Sequence, residues 1–404
     1  MNKRILIFTD NYPYGKSEPF LETELKYIDR HFEKVSLLPL ERGRGKNIRE
    51  IPQKTEIVSP VFNEIKSRAE FVFKGLCNKS LLFSLLKEGI NSQVWKSQTK
   101  FRTWVTHLLM IRRILAEIQD RNLIQFINQF DILYFYWGLR WSQIIPFLPE
   151  DLKPKIIIRF HGSDLYEHTN NGYIPWRFQQ LNRITSAIVV SNTGKKYIED
   201  QYPFLKGRVY ISRIGTQDYG LNPYIKSDII RIISCSNLYA VKRVGLIVRT
   251  LGFVKSRVEW IHFGDGPMRN EIEKQMAKLP ENIYCKLAGT VTHIELMDYY
   301  RTTSIDLFIN VSSSEGVPVS VMEAMSFGIT VIATNVGGTS EIVSEKTGLL
   351  IDKDFSPSEL AMEIEELANR SDVSTLRRNA REEWENKSMA DKVYPDFIKH
   401  LSSV

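Results

Sequence analysis

Short apolar runs separated by helix-length amphipathic stretches recur along the whole chain. Arg4–Phe8 is the first such run, followed by the loop Thr9–Pro19, a helical pattern over about 21–32, and a second run at Val35–Leu40. A run, a helix and a run form a β-α-β unit, which builds a parallel sheet. Asp131–Tyr136, Lys155–Phe160, Ala187–Ser191 and Val209–Ile211 extend this first series. After a polar, glycine-containing stretch near 213–225 the alternation starts again, with Ile229–Ser234, Val258–Gly264, Ile283–Leu287, Ser304–Val311 and Thr330–Thr334. Strands spaced by helices in both halves predict two doubly wound α/β domains. Between about 61 and 130 the pattern changes. Leu81–Leu86 and Trp104–Arg113 mix apolar, aromatic and basic residues without strand spacing, and predict two or three amphipathic helices inserted in the first domain. The expected division is 1–212, 213–385 and a C-terminal amphipathic helix within 386–404, a candidate to pack back on the first domain.

Composition narrows the class. At 404 residues, 43% hydrophobic and 25% charged, the chain reads as a soluble globular protein of two or three domains. Cys77, Cys235 and Cys285 lie far apart and match no metal or redox spacing, which points to a reducing compartment. The apolar run at Ile5–Phe8 ends at Thr9-Asp10 and suits a buried strand better than a secretion signal. No segment offers the ~18 uninterrupted apolar residues of a membrane span, so the expected location is cytoplasmic. Charge is uneven: residues 1–208 carry 32 Lys and Arg against 21 Asp and Glu, while 209–404 carry 22 against 26. A basic half suits an anionic surface, membrane or phosphate-bearing lipid, or an ordinary solvated exterior. A nucleic-acid partner is disfavoured, because the basic residues are scattered and no recognition module is present.

The densest chemistry lies in Ser313–Gly328. This segment follows an apolar strand and runs into a helix that Pro318 can start, since its missing N–H costs nothing at a first turn. The N–H groups from Val319 on, with the positive end of the helix dipole, suit a diphosphate without a metal. Glu315 precedes the helix and Glu323 lies within it, eight residues later, so the two acids can reach different parts of one extended ligand. Val331–Glu341 follows as a strand and a Gly337-Gly338 turn that permits close backbone approach.

The order and spacing of these pieces over residues 306–341 resemble the GT4-type family of retaining glycosyltransferases, with looser similarity along most of the chain. The resemblance implies a GT-B fold: two Rossmann-like doubly wound parallel-sheet domains facing a central cleft, with a nucleotide-sugar donor held mainly by the second. It implies that Glu323 holds the ribose hydroxyls, that Glu315 lies by the donor sugar, and that Gly316 and the backbone of Val319, Ser320 and Val321 hold the diphosphate and sugar. Lys242 matches the family's lysine and would neutralise the departing diphosphate. The family's arginine position holds Asn237, and Arg243 is the candidate to supply that charge. Gly264 and Gly266 resemble the family's glycine turn, and Gly289 the strand end where backbone groups read the base. In the first half, His161 and Asp164 form a turn similar to one in the branch that makes bacterial exopolysaccharides of the colanic-acid type. His161 would bond the donor sugar and Asp164 would orient the loop. Gly15 lies in a loop similar to the family's acceptor-side loop, where many members have two glycines.

No carboxylate pair or His/Cys cluster at ligand spacing suggests a metal or other cofactor. The expected enzyme is a metal-independent hexosyltransferase. Its acceptor is expected to be a lipid-linked saccharide, reached by amphipathic helices lying on the inner face of the membrane; the same helices read equally well as a buried cover of the first sheet. Two other readings stay open: a non-catalytic nucleotide-sugar-binding partner subunit, prompted by Asn237, and a sugar-nucleotide epimerase of the same architecture.

Overall fold

The computed structural model describes residues 3–15, 17–43, 48–62 and 87–404, which form two compact units. The expected helix at 81–86, Cys77 and Lys16 lie outside the described residues.

The first unit comprises Met1–Ser212 and Tyr394–Val404. Its strands are β1 (Arg4–Thr9), β2 (Lys34–Pro39), β3 (Thr55–Ile57), β4 (Ile132–Phe135), β5 (Lys155–Phe160), β6 (Ser186–Val189) and β7 (Val209–Ile211). They form one parallel sheet in the order β3-β2-β1-β4-β5-β6-β7. The near-continuous burial of β1, β4, β5 and β6 is the mark of a parallel sheet covered on both faces. One cover is helix Gln98–Asp120, which buries Leu108, Ile111, Ile114 and Ile118 along one stripe. Trp104–Arg113 lies inside this single helix, whose start is capped by the Ser97 hydroxyl accepting from Lys100 N at 3.4 Å.

The chain's last residues complete this unit. Tyr394, Phe397, Ile398 and Leu401 are buried, and Lys3 Nζ donates to Ser402 O at 2.6 Å. Beneath them Arg159 pairs with Glu24 at 3.0 Å, both carboxylate and guanidinium fully buried, and Tyr134 Oη donates to the same carboxylate at 2.7 Å. Breaking one partner of such a pair strands a charge in the core.

The second unit runs from Arg213 to Val393, beyond the boundary expected at 385. The extra residues stay with it because Thr216 N donates to Ser388 O at 2.8 Å and Trp384 Nε1 donates to Thr216 Oγ1 at 2.6 Å. Its strands are β8 (Ile229–Cys235), β9 (Arg257–Phe263), β10 (Ile283–Gly289), β11 (Leu307–Asn310), β12 (Thr330–Thr334) and β13 (Gly348–Ile351). They form a parallel sheet in the order β10-β9-β8-β11-β12-β13.

Both orders reverse direction once, between β1 and β4 in the first unit and between β8 and β11 in the second. At such a point the loops leaving the two strands diverge, and a crevice opens beyond their carboxyl ends.

Candidate functional site

In the second unit the loops leaving β8 and β11 carry most of the residues singled out in the sequence. They are tied together by the backbone: Ser313 N donates to Val241 O at 2.8 Å. This places the Lys242 ammonium on Glu315 Oε1 at 2.7 Å, with Asn310 Nδ2 on the same oxygen at 3.3 Å. Lys242 is partly exposed and Glu315 largely buried. A cation and an acid therefore meet at the switch point of the sheet.

Two glycine turns make these loops possible. A Cβ on Gly337 would fall 1.8 Å from Glu315 O, and Gly338 N donates to Gly316 O at 2.6 Å, so the turn after β12 grips the Glu315-Gly316 backbone. On the other side, a Cβ on Gly264 would fall 1.9 Å from Ser236 O and one on Gly266 2.7 Å from Leu238 O. The turn after β9 thus lies directly on the loop that leads to Lys242. Gly289, at φ +77°, accepts from Gly264 N at 2.9 Å, and a Cβ there would lie 3.9 Å from Arg269 Nη1.

A buried histidine that the sequence reading missed holds the same loop from below. His262 Nε2 meets Ser236 O at 2.9 Å, so it donates there, and Nδ1 accepts from the Ser234 hydroxyl at 2.8 Å. Trp260 Nε1 completes the chain by donating to Ser234 Oγ at 3.0 Å. Burial pushes the His262 pKa down to about 4, so the ring is neutral and structural. Its signal in sequence was only an alternating position in a strand.

Helix Val319–Ser326 begins at Pro318, whose carbonyl accepts from both Val321 N (3.1 Å) and Met322 N (3.2 Å). The Val321 N–H, expected to face a ligand, donates to the Pro318 carbonyl in this turn. The first-turn groups without an intrahelical acceptor are those of Val319 and Ser320. Glu323, further along, accepts from His293 Nε2 at 2.8 Å, and the Tyr219 ring lies edge-on to that imidazole at 5.8 Å. Glu315 and Glu323 therefore have separate partners.

Arg243 has a different task from the one expected. It sits at φ +50°, and its guanidinium donates to the carbonyls of Val311 (2.7 Å), Lys353 (2.8 Å) and Ser312 (3.4 Å). It braces the strand ends rather than standing as an open charge. Asn237 is exposed in the loop after β8.

In the first unit His161 and Asp164 are adjacent at the end of β5. Asp164 accepts from His161 N (2.7 Å), Gly162 N (3.2 Å) and Gly138 N (2.7 Å), and these bonds with the His161 ring hold its carboxyl below the usual range despite burial. The His161 side chain is 7% exposed, its Nδ1 lies 3.9 Å from Asp164 Oδ2, beyond hydrogen-bond distance, and the ring lies 4.6 Å from Tyr136 and 4.3 Å from Trp137. Gly15, at φ +70°, stands in open space in the loop after β1 and touches none of these groups. In that loop Asp10 meets Arg140 at 3.1 Å, and Arg140 also bonds Glu41. Burial pushes the Asp10 pKa up to about 7 against the pull of Arg140.

Among the described residues no three His, Cys, Asp or Glu side chains are grouped to hold a metal ion, and no helix is long and apolar enough to cross a membrane.

This architecture is that of the GT-B glycosyltransferases. Anabaena HepE, solved in complex with UDP and glucose, superposes with a TM-score of 0.69 over all of both chains at 14% identity. Residues 230–370, within the second unit, match the model of the family Glycosyl transferases group 1. Among curated relatives, a Streptococcus parasanguinis UDP-N-acetylglucosamine–peptide N-acetylglucosaminyltransferase GtfA subunit is 22% identical over 60% of this chain. The chain spans about half of that relative's length (51%). A Bacillus anthracis N-acetyl-alpha-D-glucosaminyl L-malate synthase is 24% identical over 70% of this chain and 76% of its own.

Proposed function

We propose that the protein is a retaining hexosyltransferase of the GT4 type, which moves a sugar from a nucleotide-diphosphate donor to a saccharide acceptor. The observation that carries this reading is the Lys242–Glu315 pair at the β8/β11 switch point, next in sequence to a helix start with two uncommitted N–H groups. The lysine and the helix start together suit a diphosphate, whose negative charge grows as the sugar–phosphate bond breaks. In the reaction the anomeric carbon–oxygen bond to the diphosphate breaks, the acceptor oxygen bonds the same face, and its proton passes to the leaving phosphate. Glu323 takes the ribose hydroxyls, and His161 binds the donor sugar. A lysine and backbone dipoles can do this without a metal, so activity is expected to survive EDTA.

A uridine nucleotide is the favoured donor base, supported by the UDP bound to HepE and the UDP-sugar in the name of the GtfA relative. A thermal-shift panel of UDP, GDP, ADP and CMP tests this. Ligand at 100 times its Kd stabilises a fold by about 2.7 kcal/mol. A shift with UDP that vanishes in Glu323→Ala is the expected result, and silence from all four would remove the donor site.

The acceptor is a lipid-linked saccharide of bacterial surface polysaccharide synthesis, met at the inner face of the membrane. Support comes from the first unit: Ile90, Trp95 and Phe101 are exposed beside exposed Lys96 and Arg102, a mixture suited to an anionic interface. Co-sedimentation with phosphatidylglycerol vesicles at low salt should capture the protein. A protein that stays in the supernatant contradicts this part.

One observation favours a second reading, a donor-binding subunit without turnover. Asn237 stands at the family's arginine position, and Arg243 is engaged by three carbonyls. Release of UDP from UDP-sugar in the presence of acceptor rejects that reading. An isomerised donor would instead indicate an epimerase.

A further inference from the structure

The loop after β1 contains a charged side chain used in an unusual way. Glu18 is 4% exposed and, among the described residues, has no cation within ion-pair distance; four N–H groups converge on its carboxylate. Oε1 accepts from Asp10 N (2.9 Å) and Trp137 Nε1 (3.0 Å), and Oε2 accepts from Asn11 N (2.8 Å) and Tyr12 N (2.7 Å). Three of these donors are consecutive main-chain groups, an arrangement that forms an anion-binding concavity. Here the anion is the chain's own. Glu18 also holds φ +56°, a conformation that non-glycine residues adopt only when their surroundings enforce it.

The fourth donor links this carboxylate to the next loop of the sheet. The Trp137 indole that bonds Glu18 lies 4.3 Å from the His161 ring, with Tyr136 at 4.6 Å on the same imidazole. On the other side of the segment, Asp164 accepts from Gly138 N and from His161 N. Two buried carboxylates thus fasten Tyr136-Trp137-Gly138, one through the indole and one through the backbone. What they frame is the His161 imidazole, whose Nδ1 lies 3.9 Å from Asp164 Oδ2.

We infer that Glu18 is a positioning residue for His161, acting through the Trp137 indole, and neither a contact for the acceptor nor an acid or base. Its importance for turnover rests on the proposed sugar-binding role of His161; its effect on the His161 ring does not. The carboxylate form is required, because all four of its partners are donors. In Glu18→Gln the amide nitrogen faces either the Asp10 and Trp137 donors or the Asn11 and Tyr12 donors, so one pair must lose its acceptor.

The test follows the His161 imidazole by NMR, its signals assigned by their loss in His161→Ala, in wild type, Glu18→Gln and Trp137→Phe. In wild type the ring protons should carry the displacement expected of an imidazole against an indole. Both variants should move those signals toward ordinary histidine positions. Trp137→Phe removes only the indole donor and leaves the three main-chain donors on Glu18 in place, so it answers the question even if Glu18→Gln folds poorly. With a sugar donor and acceptor, turnover in either variant should fall by at least about tenfold, as misplacement of a reacting partner does, while the Kd for UDP stays within about twofold. His161 signals that do not move in Trp137→Phe would overturn the inference. Failure to bind UDP at all would instead overturn the donor-site reading and leave the His161 result standing.

Discussion

The two units share a strand order up to their sixth strands, yet treat the crevice at the switch point in opposite ways. In the first, the loop after β1 folds its own Glu18 carboxylate into a cradle of three main-chain N–H groups and an indole. In the second, the loops after β8 and β11 bring Lys242 to Glu315, and the helix start at Val319 keeps uncommitted donors. One cradle is filled by the chain's own carboxylate, and the other is the site proposed for a ligand. The same topology is thus a scaffold in one unit and a candidate receptor in the other. Loop chemistry decides which, as expected where function is grafted onto a common fold.

The largest effect expected from this contrast is on turnover. Lys242→Ala should lower it by about two to three orders of magnitude, the usual cost of removing one preorganised donor to developing charge, measured as UDP released from saturating donor. Gly337→Ala comes next. Its Cβ would sit 1.8 Å from Glu315 O at φ +57°, so it should destabilise the second unit by about 1–3 kcal/mol by overpacking, and weaken UDP binding with it.

Two carboxylate-to-amide changes then compare the crevices directly. Glu18→Gln should cost about 1–3 kcal/mol in denaturant unfolding, because buried donors lose their acceptor. Glu315→Gln should cost no more than about 1 kcal/mol, since its lysine partner can turn to solvent. Equal losses would mean that both carboxylates are structural.

The smallest effect is a pH dependence in the first unit. Asp10 has a folded pKa of about 7 against an ordinary 3.8, so the folded state holds its proton more tightly than the unfolded one. The stability this gives is fully present below about 3.8 and lost as pH rises to about 7. Asp10→Asn should therefore gain melting temperature relative to wild type between those limits. A constant difference across that range would contradict the shift.

Much of this was legible in the sequence because parallel strands buried on both faces write themselves as apolar runs. The strands flanking each switch point, β1, β4, β8 and β11, were found that way. Edge strands β3 (Thr55–Ile57) and β13 (Gly348–Ile351) were missed, being short and less uniformly buried. Separate roles for Lys242 and Glu315 about one donor followed from the motif resemblance, while their direct contact rests on β8 and β11 being neighbours in the sheet. Partnerships across long separations were not legible. Nothing in the spacing of Glu18 and Trp137, or of His293 and Glu323, announces contact. Arg243 illustrates the limit of charge reading: a basic residue beside Lys242 reads as a phosphate ligand until its carbonyl partners are seen.

The most direct test is titration calorimetry with UDP on wild type, Lys242→Ala, Glu323→Ala and Glu18→Gln. One site per chain is expected, weakened at least about tenfold, or 1.4 kcal/mol, by either change in the second unit and left nearly intact by Glu18→Gln. No binding by wild type, or binding that only Glu18→Gln abolishes, would contradict the assignment of the donor site to the second unit.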